Sequence, residues 1–191
     1  MTPQQRAALL NRVIASLALP LGTTRITPGH LNRYDWLRTQ LPLVNVAANA
    51  PFQKSFSGLF QLRFMPAAHR VVYFQMMEGQ KGQVGHAFPA LLGAYCAAGG
   101  RLEMSFISKL IHIITPHRAV WDSLVRAHLM IPDPHPRTLP NCATAYLQLE
   151  TEMAALLMHP LYPSVQIAFG ARFPGRAYTS MRILDASIWG L

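Results

Sequence analysis

An all-α domain is what this sequence predicts, on three observations. Threonine–proline pairs that start helices recur, at Thr2-Pro3 and Thr27-Pro28. Apolar residues return at three- and four-residue spacing along most of the chain. Of the 191 residues 51% are apolar, enough for one sizeable core and too many for a disordered chain. The length suits a single helical domain over residues 1–191, or two small lobes sharing a core.

Taken in order, Thr2 reads as an N-cap, Pro3 as a first-turn proline and Gln5 as the return partner of a capping box. Leu9, Leu10, Val13, Ile14 and Leu17 carry that helix onward. Thr27-Pro28 starts a second helix through Leu31, Tyr34 and Leu37. Pro51 opens a third over 52–64, with Phe52, Phe56, Leu59, Phe60 and Phe64 as its apolar stripe. Pro66 opens a fourth over 67–78, ended by Gly79; its Val71-Val72-Tyr73-Phe74 run is strand-like, but the flanking pattern is helical. A small-residue helix over 87–98 closes on Gly99-Gly100, a C-cap pair. The helix at 105–114 ends at Thr115-Pro116. Another follows Asp122 and stops before Pro132. Residues 132–140 hold Pro132, Pro134, Pro136 and Pro140 and read as a loop. Asn141 is expected to cap a long helix to about Leu157, and 180–189 a final short one.

Charge narrows the function. Seventeen Lys and Arg against eight Asp and Glu leave a net charge of +9, which favours a polyanionic partner. The arginines are spread along the chain, so the positive surface belongs to a folded body and not to a tail. Arginine suits phosphate because its planar fork donates two hydrogen bonds at once. No apolar run reaches the roughly 18–20 residues of a membrane span, and the N-terminus lacks a signal-peptide core. Cys96 and Cys142 form no motif and fit a reducing cytoplasm. The histidines match no compact ligand pattern, so neither metal nor cofactor is expected. The glycines give no dinucleotide or phosphate loop, and nothing marks a nucleophilic serine.

One lysine stands out. Only Lys54, Lys81 and Lys109 occur in the chain, and Lys109 falls inside the apolar run from Ser105 to Ile114. Helical spacing places Ser105, Ser108, Lys109 and His112 on one face, expected to line a cleft because the remaining positions are so apolar. Desolvation in a cleft would lower the lysine pKa and free its amine for attack. Asp122 follows thirteen residues later. It fits an N-cap, a position that also fixes where a carboxylate points. Solvent exposure of the polar stripe is the competing expectation.

The sequence Ser105-x-x-Ser108-Lys109, a short apolar helix, then Val120-Trp121-Asp122-Ser123-x-Val125 resembles the lysine-to-aspartate core of the helix-hairpin-helix DNA glycosylase superfamily. Weaker likeness to small bacterial glycosylase-like proteins runs through Phe56–Arg63, Gly100–Lys109 and Arg182–Trp189. Arg101–Ser108 stands where the superfamily's glycine-rich hairpin would lie, and no recognisable hairpin motif is present. The resemblance implies a two-lobed all-α fold with a central cleft, acting as a monomer on double-stranded DNA with the target base flipped. By it, Asp122 stabilises charge at the sugar, and Lys109 attacks C1′ in enzymes that also cut the strand. His112, Ser105, Ser108, Trp121 and Phe60 would surround the substrate, with Phe56 and Trp189 as further stacking candidates. Arg63, Arg118 and Arg126 would hold phosphates. The implied activity is excision of a damaged or modified base, in repair or in defence against phage with modified bases. A non-catalytic basic helical module that binds nucleic acid is the alternative.

Overall fold

The computed structural model describes residues 1–62, 65–83 and 85–191, and over these it is helical without strands. Ten helices follow in order: α1 (Pro3–Leu17), α2 (Pro28–Gln40), α3 (Ala50–Phe60), α4 (Ala67–Gln80), α5 (Phe88–Ala97), α6 (Met104–Ile114), α7 (Ser123–Leu129), α8 (Leu139–Leu157), α9 (Tyr162–Arg172) and α10 (Ser180–Trp189). Among the described residues, no helix is long and apolar enough to cross a membrane.

Local chemistry sets most boundaries. The capping box at Thr2 and Gln5 is formed as expected. Thr27, Asn49, Asp122, Thr138 and Thr179 each accept a backbone N–H of the following first turn, and each such cap contributes about 1 kcal/mol. At the end of α5, Gly99 N–H bonds to Cys96 O and Gly100 N–H to Tyr95 O. Gly99 has φ +89, a left-handed conformation that suits glycine, so the pair closes the helix in a Schellman turn.

Four boundaries depart from the sequence expectation. Gln61 is left-handed, with φ 56, and ends α3 at Phe60; Phe64, expected in that helix, lies outside the described residues. Gly79 does not stop α4, which runs to Gln80. Thr138, not Asn141, caps α8: Asn141 supplies the N–H that Thr138 accepts, and Pro140 sits in the first turn. The helix α9 was not expected at all. Its Pro163 occupies the first turn, and Tyr162, Val165 and Phe169 form its buried face.

One contiguous apolar core draws residues from all ten helices. At its centre α10 packs against α1, α7, α8 and α9, while α6 packs against α2 and α5. These two helices are buried along almost their whole length. Both nevertheless carry charge, Lys109 on α6 and Arg182 with Asp185 on α10. Placing ions in two such buried helices is costly unless partners or a cavity receive them.

Candidate functional site

Lys109 is 8% exposed, so the lysine in the apolar run is buried and not snorkelling. Its Nζ donates to the Phe60 carbonyl at 3.1 Å. That carbonyl closes α3, at the negative end of the helix dipole, where an ammonium is favoured. Burial lowers the Lys109 pKa, against the opposing fields of Asp122 and Asp185.

A cavity of about 620 Å³ receives the amine. Its charged and titratable lining is Lys109, Asp122, Asp185, Arg182, Arg25 and His30. Phe60 and Trp189 supply aromatic wall, and the Trp189 ring meets His30 edge-on at 5.3 Å. Backbone ties the Arg25–Ile26 wall to the end of α10: Arg25 N–H bonds to Gly190 O, and Gly190 lies so near Ile26 that an added Cβ would meet it at 2.9 Å.

Asp122 reaches the cavity because the segment before it is pinned at four points. Thr179 Oγ1 donates to Pro116 O at 2.7 Å, His112 Nδ1 to Arg118 O at 2.7 Å, and Tyr146 Oη to Ala119 O at 2.8 Å. Ser108 Oγ accepts the Trp121 N–H at 2.9 Å and donates to Ser105 O. Asp122 itself accepts the Leu124 N–H. Of the eight acidic residues, Asp35, Glu78, Asp133, Glu150, Glu152 and Asp185 form ion pairs within 4.0 Å. Among the described residues Asp122 has no such ion pair; its carboxylate is held by a cap, and the residue lines the cavity.

The expected stripe on α6 therefore divides by role. Lys109 enters the cavity, while Ser108 and His112 turn to the loop that carries Asp122. Ser105 is half-buried and does not line the cavity. His112 is 0% exposed. A carbonyl can only accept, so His112 Nδ1 carries the hydrogen and Nε2 accepts from Tyr34 Oη at 3.3 Å. Burial and the nearby cation Arg182 push its pKa down to about 3. It is neutral at physiological pH and positioned as a strut, which argues against a proton relay.

The other expected residues are placed as follows. Phe60 lines the cavity. Trp121 is buried beneath Arg126, whose guanidinium lies 4.6 Å from the ring centroid. Phe56 is a core residue packed against Phe60, Tyr73 and Phe74. Arg126 bonds to Ile131 O at 3.0 Å and to Asp133 at 2.9 Å. Arg118 grips Glu150 and donates to His86 O at 2.9 Å. Both arginines are occupied inside the fold, and a surface phosphate would have to displace these partners. Arg63 lies outside the described residues.

Sequence reasoning missed Asp185, Arg182, Arg25 and His30. The signal available for the first two was an arginine and an aspartate three residues apart within an otherwise apolar helix. A second cavity, also about 620 Å³, is lined by Ala50, Gln53, Lys54, Ser57, Gly58, Gln61 and Arg70. Its lining holds two cations and no acid, and Gln61 borders both cavities. Among the described residues, no group of three His, Cys, Asp or Glu side chains comes together to hold a metal. No family model, curated protein or solved structure matches this chain.

Proposed function

We propose that this protein is a DNA glycosylase that flips a modified or damaged base out of the duplex and cleaves its N-glycosidic bond. The observation that carries the reading is the meeting of Lys109 and Asp122 in one cavity on a protein of net charge +9. The two residues on which the resemblance to helix-hairpin-helix glycosylases rests are brought to the same site by separate elements. The cavity volume falls within the roughly 300–1,000 Å³ of small-molecule sites, enough for a flipped nucleoside. Phe60, Trp189 and His30 offer faces for a base, and extrusion is needed because C1′ is inaccessible in the stack. In this reading the cleft between two lobes is the cavity between α3, α6 and α10.

Asp122 stabilises the oxocarbenium-like sugar or activates the attacking water. Its cap to Leu124 N–H fixes the carboxylate before substrate arrives. Lys109 is a cation beside the sugar or, when neutral, the nucleophile for an imine at C1′. Arg25, Lys54 and Arg70 take the phosphate-binding roles that Arg118 and Arg126 are too engaged to fill. The biological setting is repair, or defence against phage whose DNA carries modified bases.

Incubation with duplexes bearing oxidised, alkylated and hypermodified bases, read as alkali-labile sites, tests the reading. A covalent adduct trapped by borohydride and lost in Lys109→Met identifies a bifunctional enzyme. Release of no base from any duplex overturns the reading. The alternative, a binding module without chemistry, is favoured by one observation: Lys109 and Asp122 each already satisfy a structural need, at Phe60 O and Leu124 N–H. DNA affinity that falls steeply with salt, with no product, would mark that outcome.

A further inference from the structure

Arg182 and Asp185 also line the cavity, as a pair. Asp185 is 5% exposed. Its Oδ2 is held by Arg182 Nη1 at 3.2 Å, while its Oδ1 has no hydrogen-bond partner among the described residues. Arg182 is itself positioned, its guanidinium 4.1 Å from the centroid of the Tyr34 ring. Tyr34 donates to His112, and His112 to Arg118 O. A chain across α2, α6 and α10 therefore holds one carboxylate oxygen, and the other is buried without a partner among the described residues, on a side chain that lines the cavity.

Resting on the glycosylase reading, we infer that Asp185 is the general acid of the reaction, delivering a proton to the departing base. A buried oxygen without a partner is costly as a bare carboxylate. As a hydroxyl it is a donor awaiting an acceptor, and a base in the cavity supplies one. The charged and titratable groups that share its cavity or pack on its partner are Arg182 on its own helix, Tyr34 and His30 from α2, Arg25 ahead of α2, Lys109 from α6 and Asp122 ahead of α7. Burial lifts the Asp185 carboxyl to about 7, against Arg182 and Lys109 and with help from Asp122. Its proton is thus present and transferable near neutrality, where an acid catalyst works best.

The C1′–N bond breaks and its electron pair passes to the base. The Asp185 O–H bond breaks, its proton joins the base, and the base leaves neutral. The new Asp185 carboxylate rests between Arg182 and Lys109. Water bonds to C1′ through oxygen and yields its proton to the Asp122 carboxylate. Exchange with solvent then returns one proton to Asp185 and removes one from Asp122.

The test has two arms. In wild-type protein with aspartate carboxyls labelled with ¹³C, one of four resonances (Asp35, Asp122, Asp133 and Asp185) should titrate near pH 7. Titration of all four below about pH 5 overturns the proposal, whatever the activity. In the second arm, base release by wild-type protein should decline as pH rises through about 7. Asp185→Asn should lose that limb and slow release of a neutral base by roughly 10²–10⁴-fold. It should retain near-normal release of N7-methylguanine, a cationic base that departs without protonation. Equal slowing of both bases, or an unchanged pH profile, overturns the assignment and leaves the glycosylase reading standing. No release by wild-type protein from any duplex overturns the reading and this role with it.

Discussion

Replacing Asp185 by asparagine should stabilise the protein, and by an amount that grows with pH. The native carboxyl sits at about 7 against an ordinary 3.8. Between those values the folded protein holds the proton more tightly than the unfolded chain does. The stabilisation is therefore fully present below about pH 4 and is lost as pH rises through 7. Each unit corresponds to about 1.4 kcal/mol, so a shift of roughly three units sets an upper limit of about 4 kcal/mol. Asparagine mimics the neutral acid in shape, and its Oδ1 still accepts from Arg182. Wild-type and Asp185→Asn proteins should be closest in stability at about pH 3, the variant should lead by up to about 1.5 kcal/mol by pH 5, and it should be ahead by about 2–4 kcal/mol at pH 8. Urea unfolding at unit pH intervals, followed by circular dichroism, measures the difference. Groups common to both proteins cancel in it. A difference that stays flat with pH, or that favours wild-type protein at pH 8, would show that the fold does not hold Asp185 protonated.

Ser108→Ala should orphan the buried Trp121 N–H, costing about 1–3 kcal/mol, and should lower turnover by loosening the segment that carries Asp122; chemical unfolding and steady-state rates check both. Arg118→Gln and Arg126→Gln should lower the melting temperature while leaving the salt dependence of DNA binding nearly unchanged, because both side chains are spent inside the fold. By contrast, Arg25→Gln and Lys54→Gln should each reduce the log–log salt slope by about 0.9 with little effect on melting; fluorescence anisotropy across a salt series separates the two sets. Lys109→Met should keep or raise stability, since an apolar side chain of similar length replaces a buried ammonium, and a melting temperature lowered by many degrees would show that the Phe60 contact holds the fold.

What the sequence revealed was mostly what local chemistry decides. Thr2, Thr27 and Gly99 act on their own first or last turn, so their helices could be placed from neighbours alone. Gln61 and Asn141 were misread because glutamine carries no mark of left-handed backbone and asparagine is as good a cap as Thr138. Between Leu157 and Ser180, Pro160, Pro163 and Gly170 obscured the apolar spacing of α9. At the site, Lys109 was conspicuous because charge in an apolar run is unusual. The same logic applies to Asp185 and Arg182, but their segment reads in the sequence only as a final short helix. The division of Ser108 and His112 from Lys109 depends on where residues 116–121 pass in space, which no spacing on α6 encodes. Arg118 and Arg126 looked free for phosphate because Glu150 and Asp133, their partners, are remote in sequence or lie across a loop.

The most direct test of the central claim is single-turnover base release by wild-type protein and Asp122→Asn, on whichever duplex of the panel yields alkali-labile sites. Enzyme is supplied in excess, so that affinity is separated from chemistry. Cleavage by wild-type protein and a loss of orders of magnitude in the variant, with DNA affinity retained, is the predicted result. Equal rates for the two proteins would remove Asp122 from the chemistry and contradict a catalytic role for the cavity it shares with Lys109.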